Sequence, residues 1–227
     1  MVEKISVLIP TYNREQFIDQ ALVSIRKQTY KDIIILIYDD GSSDGTIDRI
    51  KHHQETDDRI FLLQGEKNKG VGYARNVLLH ACKTEYACWM DSDDVSNVHR
   101  IEKQVEMLED NDLVFTGKSR IISSKWMYKP VPYTKDQKAF ATLMFRVNKQ
   151  IKFKNIKLGG EDWNWTERMR MIYTEECIVP FILYHIRSHA DRIGQWKRKI
   201  RSKFKSSDLR NLSYEEMINL YIETYGE

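Results

Sequence analysis

No stretch of the chain is apolar for the roughly 20 residues that a bilayer-crossing helix requires, and no C-x-x-C pair occurs. The first absence excludes a membrane-spanning helix. Cysteine is confined to positions 82, 88 and 177, an odd number set in apolar surroundings, so buried free thiols are expected rather than a disulfide or a zinc site. Strong net charge is also missing. The 36 Lys and Arg against 33 Asp and Glu leave +3, too little to imply a nucleic-acid partner. There is no internal repeat and no low-complexity segment. The opening MVEKISVLIPTYN sets Glu3 beside Lys4 and closes a short apolar run with Pro10, the pattern of a core strand rather than a signal peptide. A reducing, cytoplasmic location is the expectation.

What is present is a chain of 227 residues with 41% hydrophobic and 30% charged residues, the range of a soluble globular protein large enough to bury one sizeable core. One domain with a tail is expected. Ile5 to Ile9, Ile33 to Tyr38, Ile60 to Leu63 and Tyr86 to Met90 are short apolar runs of the kind buried on both faces of a parallel sheet. Between them lie segments of helical period: one entered through Asn13 as a cap with Gln16 three residues on, one running to about His53, and Val71 to Cys82. Strand and helix in alternation predict right-handed βαβ units and a doubly wound, mostly parallel α/β sheet. Further on, a helix is expected over Asn97 to Leu108 and a strand over Leu113 to Thr116. Two β-prone pieces follow between Arg120 and Tyr133, then a helix over Ala139 to Arg146, a helix after Gly159 and Gly160, and a last strand over Cys177 to Ile186. Pro180 in that strand suggests an edge position or a bulge.

The stretch Tyr86 to Asp94, YACWMDSDD, ends a buried run on three carboxylates, Asp91, Asp93 and Asp94. Clustered carboxylates repel one another unless a cation or bound donors offset the charge, and a divalent metal holding a diphosphate suits such a set. Ligands of doubly wound sheets bind beyond the carboxyl ends of the strands, so Thr11 and Tyr12, Asp39 and Asp40, and Asp91 to Asp94 should share one crevice. Tyr12 offers a ring that could stack on a base, and the DDGSSD turn offers a carboxylate and free backbone N–H groups at a helix start. Capping needs fewer acids than this turn carries. Lys69 to Asn76 contains a G-x-G without the third glycine of a dinucleotide fingerprint, and places Arg75 where it could face a phosphate or a carboxylate. Past Gly194, Trp196, Ile200 and Phe204 recur four apart among basic residues. That basic amphipathic helix either packs on the domain, the favoured reading, or touches a membrane surface or an anionic carrier through 196–205.

Five motifs in order, VLIPTYNRE at Val7 to Glu15, YDDGSSDGT at Tyr38 to Thr46, NKGVGYARN at Asn68 to Asn76, MDSDD at Met90 to Asp94 and GGEDWNW at Gly159 to Trp165, resemble those of the family-2 nucleotide-sugar glycosyltransferases of the GT-A fold. The resemblance runs from about Ile5 to about Ile193. It implies a GT-A domain over 1–193, with a nucleotide-sugar half (1–117) and an acceptor and catalytic-base half (118–193), followed by the tail 194–227. It also implies inverting, metal-dependent transfer of a sugar from a nucleotide-diphosphate donor, UDP-sugar favoured, to a hydroxyl of a glycan or carrier-linked acceptor.

Carried over by residue, the resemblance implies that Pro10, Thr11 and Tyr12 border the base, that Asp40 recognises it, and that Arg75 lies near base or phosphate. Asp91 would face the ribose, and Asp93 or Asp94 would ligate Mn²⁺ or Mg²⁺, hard ions that suit oxygen ligands. Asp162 would be the general base, with Glu161 orienting a neighbour or contacting the acceptor; an acidic first turn offsetting the helix dipole is the bland alternative for this pair. Trp163 and Trp165 are read as core more than as a sugar wall. Arg187 is a candidate phosphate contact and His189 a candidate metal or diphosphate contact, although Arg192 stands where relatives carry a small hydroxyl residue. Two competing readings are a sugar-phosphate nucleotidyltransferase, disfavoured by the Glu161-Asp162 element and the lack of a glycine-rich triphosphate loop, and a non-catalytic carbohydrate-binding relative.

Overall fold

Four short runs rich in Ile, Leu and Val build the parallel half of the sheet, because apolar side chains on both faces need cover on both sides. They are β1 (Ile5–Thr11), β2 (Ile33–Asp39), β3 (Ile60–Gln64) and β4 (Tyr86–Trp89), lying in the order β3-β2-β1-β4 with every pairing parallel. The structure, a computed structural model, describes residues 4–122, 127–130, 139–154 and 160–188. Helices α1 (Ile18–Arg26), α2 (Thr46–Gln54) and α3 (Val71–Ala81) connect the strands.

Alternation along β1 shows why helices cover both faces. Ile5, Val7 and Ile9 pack in one cluster with Ile18, Leu22, Ile25 and Ile50 of α1 and α2. Leu8 points the other way, into a cluster with Ala74, Leu78 and Leu79 of α3. Full burial of one such aliphatic side chain is worth about 1.5–3 kcal/mol, so the sheet is held from two sides. Cys82 and Cys88 are buried and Cys177 half-buried, none of them in a disulfide, and burial pushes the Cys88 thiol up to about 11.

Beyond β4 the sheet continues with mixed polarity. It adds β5 (Val95–Ser96), then, after the short helix α4 (Arg100–Val105), β6 (Leu113–Ile122), β7 (Met127–Pro130), β8 (Met144–Arg146) and, after helix α5 (Glu161–Arg170), β9 (Glu176–Ser188). The order runs β4-β8-β6-β9-β5, with β7 antiparallel to β6. Strand β8 is antiparallel to both β4 and β6, while β9 is parallel to β6.

Two local expectations are corrected and a third is met. Ala139 to Arg146 is not a helix: Phe140–Thr142 is a single 3-10 turn, and β8 fills the slot between β4 and β6. Asn13 does not cap α1, which starts after Phe17; with φ of 49° it accepts a hydrogen bond from the backbone N–H of Ser43 and ties two loops together. Pro180 fits its expectation, since β5 flanks β9 only at Tyr184 and His185. It sits in a bulge: Thr116 faces Val179, Gly117 faces Ile182, and Pro180 and Phe181 are the extra residues. A proline, lacking an N–H, costs least where the ladder is already broken.

One aromatic cluster lies behind the acidic loop. Trp89 stacks on Phe140 at 5.3 Å and on Phe145 at 5.5 Å, and Trp165 stacks on Phe153 at 4.9 Å with its Nε1–H donating to the Ile151 carbonyl at 2.7 Å. Trp165 is thus core, as its helical spacing suggests, whereas Trp163 on the same helix is exposed.

Candidate active site

The carboxyl ends of β1, β2 and β4 open on one side of the sheet, and their loops meet there. Asp40 accepts the backbone N–H groups of Lys69 and Gly70 on Oδ2 at 2.9 and 2.7 Å, which fixes its carboxylate against the start of α3. Its Oδ1 is buried without a protein partner, as is Thr11 Oγ1. Burial raises the Asp40 pKa, and the two N–H donors oppose that shift. An unsatisfied buried carboxylate oxygen is costly unless something donates to it, and a ligand N–H or O–H fits. Pro10 is buried in β1, pairing with Tyr38, while the Tyr12 ring is exposed.

The acidic loop after β4 brings Asp91, Asp93 and Asp94 together, with one carboxylate oxygen of each within 4.8 Å of the others. Asp94 is fully buried and its Oδ1 accepts the backbone N–H of Arg187 at 2.8 Å. Asp93 Oδ2 faces Arg14 Nε at 3.3 Å, and Asp91 carries the most exposed side chain of the three. Arg187 also donates from Nε to the Asp93 carbonyl at 2.9 Å, so its guanidinium braces the loop where the sequence suggests a phosphate contact. The Asp91 backbone N–H donates to the Tyr184 hydroxyl at 3.0 Å. Burial first, then the nearby Asp94 and Asp91, raise the Tyr184 pKa well above its ordinary value, keeping the phenol neutral. As a donor set, three converging carboxylates fit a hard divalent ion such as Mn²⁺ or Mg²⁺.

Arg75 links this loop to α5. Its Nη1 is 3.0 Å from Glu161 Oε1 and its Nη2 is 3.7 Å from Asp91 Oδ1, with both Arg75 and Glu161 buried. The guanidinium lies 4.4 Å from the Phe140 ring centre and 5.5 Å from that of Phe153. Burial raises the Glu161 pKa and the Arg75 charge opposes it. Arg75 Nε and Glu161 Oε2 remain buried without protein partners. Gly160, at φ of 100°, turns the chain into α5 in a conformation glycine adopts without strain. The next residue but one, Asp162, is half-buried, and its Oδ1 accepts the Trp163 backbone N–H at 2.7 Å. Of the adjacent acids, Glu161 therefore points into the protein and Asp162 is the more accessible.

The structure thus gathers Thr11, Tyr12, Asp40, Arg75, Asp91, Asp93, Asp94, Glu161 and Asp162 along connected loops at one end of the sheet. His189 and the tail 194–227, including 196–205, lie outside the described residues. The sequence alone assigns no role to Arg14, nor to the fully buried Arg100, whose guanidinium donates to the carbonyls of Trp89 at 2.9 Å and Ala141 at 3.2 Å and buttresses the acidic loop from behind.

Comparison with known proteins agrees with this architecture. The model of the family described as Glycosyl transferase family 2 matches residues 6–169. A candidate teichuronic acid biosynthesis glycosyltransferase, TuaG of Bacillus subtilis, is 25% identical over 92% of this chain and 90% of its own length. The Escherichia coli UDP-Glc:alpha-D-GlcNAc-diphosphoundecaprenol beta-1,3-glucosyltransferase WfgD is 36% identical over 53% of this chain and 47% of its own length. Several other curated relatives are likewise matched over half their length or less. Among solved structures, residues 1–349 of S. aureus TarS in complex with UDP-GlcNAc superpose with a TM-score of 0.71 at 21% identity, covering 83% of this chain and 60% of that one. The mannosyltransferase PcManGT from Pyrobaculum calidifontis, in complex with GDP-Man and Mn²⁺, gives 0.66 at 17% identity, covering 92% and 65%. Both share the fold. Among the described residues no helix is long and apolar enough to cross a membrane.

Proposed function

Because the chain belongs to glycosyl transferase family 2, we propose that it moves a sugar from a nucleotide-diphosphate sugar to a hydroxyl of a glycan or carrier-linked acceptor, with inversion at the anomeric carbon. The observation that carries this reading is the Arg75 bridge. One buried guanidinium spans from Asp91 of the acidic loop to Glu161 at the start of α5, which supports reading the donor-side carboxylates and Asp162, next to Glu161, as parts of one site.

In that crevice the base lies against the exposed Tyr12 ring and donates to Asp40 Oδ1, beside Pro10 and Thr11. Asp91, the more exposed acid, takes the ribose side. Asp93, with Asp94 behind it, holds Mn²⁺ or Mg²⁺, which when bound supplies Lewis-acid stabilisation of the leaving diphosphate. His189 is assigned to the same side from the family pattern.

Asp162 accepts the acceptor hydroxyl proton as that oxygen attacks the anomeric carbon from the face opposite the diphosphate. One carboxylate suffices, because a single displacement inverts the centre without a covalent intermediate. Glu161, ion-paired to Arg75, fixes the start of α5 and hence the aim of Asp162. A UDP-sugar is the favoured donor, in line with the UDP-Glc in the WfgD name and the UDP-GlcNAc bound to TarS. The same WfgD name, with its diphosphoundecaprenol acceptor, favours a lipid-carrier glycan as acceptor.

The deciding measurement is nucleoside diphosphate release from a panel of UDP- and GDP-sugars with Mn²⁺ and glycan acceptors. Asp162→Asn is expected to lower kcat by about 10²–10⁴-fold, the usual worth of a general base, while UDP binding by calorimetry is unchanged. Full turnover in that variant would reject Asp162 as the base.

A further inference from the structure

The loop between β1 and α1 is unusually well fastened for a segment bearing a site side chain. The backbone N–H groups of Asn13, Arg14 and Glu15 donate to Ser42 Oγ at 2.8 Å, Thr46 Oγ1 at 2.7 Å and Asp44 Oδ2 at 3.1 Å. Ser42 is itself anchored through its N–H and hydroxyl to the Asp39 carboxylate at 2.8 and 2.5 Å. This scaffolding fixes the Arg14 backbone relative to β2. The Arg14 guanidinium then bridges to the acidic loop: Nη1 donates to the Tyr12 and Asn13 carbonyls at 3.2 and 2.9 Å, and Nε reaches Asp93 Oδ2 at 3.3 Å.

Besides Arg100 behind it, the acidic loop is approached among the described residues by Arg14, Arg75 and Arg187, whose surroundings differ. Arg75 is buried against Glu161 and aromatic rings, and the Arg187 guanidinium braces the loop through the Asp93 carbonyl and Gln20. Arg14 binds the Asp93 carboxylate itself, and its side chain is 19% exposed against 7% for Arg75. A cation that sits on a metal-ligating oxygen from the solvent side competes with the metal for that oxygen, and both charges repel if the two are held together.

We propose that Arg14 is a resident counter-cation of the acidic loop, which neutralises Asp93 until a divalent ion takes that carboxylate and thereby sets the affinity of the site for the ion. The inference rests on the reading of Asp93 as a metal ligand. Because residues 13–15 are pinned by their backbones, the exchange is a swing of one side chain and leaves the loop in place. The ion pair lowers the electrostatic cost of the clustered carboxylates in the metal-free protein, and the same contact weakens metal binding by the free energy needed to break it.

The test is direct Mn²⁺ binding to the full-length, nucleotide-free protein, read from the free-Mn²⁺ signal in electron paramagnetic resonance. Arg14→Gln is expected to bind Mn²⁺ on the order of five-fold more tightly than the parent, the scale of one partly exposed ion pair. Arg14→Lys, which keeps the charge and loses the Nε geometry, is expected to fall between the two. An Arg14→Gln affinity equal to or weaker than the parent overturns the proposal. If that variant fails to fold, Arg14→Lys decides in its place, and an affinity no tighter than the parent's overturns the proposal there too. Asp93→Asn separates the two layers: unchanged Mn²⁺ binding there rejects Asp93 as a ligand, whereas binding lost in Asp93→Asn and unaltered in Arg14→Gln rejects the role of Arg14 alone.

Discussion

Arg75 shows how much one residue can carry when it is buried with charge on both sides. Removing it leaves Glu161 desolvated and unpaired, so Arg75→Met is expected to destabilise the fold by about 3–5 kcal/mol, the usual cost of breaking a buried pair from one side. Adding Glu161→Gln removes the stranded charge, and the double variant should recover part of the loss; urea denaturation of the single and double variants measures it. A double variant no more stable than Arg75→Met would mean that the pair is not the source of the cost. At this scale the sequence is informative wherever chemistry is declared by residue type. Three aspartates behind a buried strand exceed what capping needs, and of the two behind β2, Asp39 anchors Ser42 while Asp40 keeps one oxygen without a protein partner. Arg75 and Glu161 are each legible as candidates, whereas their pairing is not, because 86 positions separate them and only the fold brings them together. The contacts of Arg14 and Tyr184 are hidden for the same reason: nothing local to either says that Asp93 or the Asp91 amide is its neighbour.

Among the elements, β9 has the most demanding geometry, since it must pass β6 in parallel while carrying Pro180. The bulge there depends on Gly117, where an added Cβ would lie 2.8 Å from the Phe181 carbonyl oxygen and 3.2 Å from its carbon. Backbone on the far side cannot yield as a side-chain tip does. Gly117→Ala is therefore expected to cost about 1–3 kcal/mol, the range of overpacking in a tight core, and to lower the midpoint of thermal unfolding. An unchanged midpoint would show that the two strands tolerate greater separation. The alternating half of the fold can be read from apolar runs because strands buried on both faces and helices buried on one differ in period. Reading fails at Ala139 to Arg146, whose residues suit a helix. A three-residue strand there is dictated by the gap between β4 and β6, a tertiary demand that overrides local preference. Asn13 misleads similarly: its side chain suits a cap, but the loop uses it to hold Ser43.

For the molecule as a whole, ligand binding should register as stability, since a ligand bound only by the native state adds about 2.7 kcal/mol at 100 times its Kd. UDP with Mn²⁺ is expected to raise the unfolding midpoint more than UDP alone and more than GDP with Mn²⁺, and a chelator should remove the increment. A GDP shift equal to the UDP shift would reject the uridine preference. The acidic loop after β4 is itself completed by residues of β9, the last strand in chain order. Tyr184 receives the Asp91 amide and the Arg187 amide satisfies Asp94, each across 93 positions of chain. Contacts of such sequence separation form late, since closing a long loop costs entropy before any contact offsets it. A chain emerging from the ribosome with β1 to β6 outside therefore presents all three aspartates without the hydroxyl and amide that shape them. The shape of the acidic loop is therefore completed only once β9, Glu176–Ser188, has been made and can pair with β6.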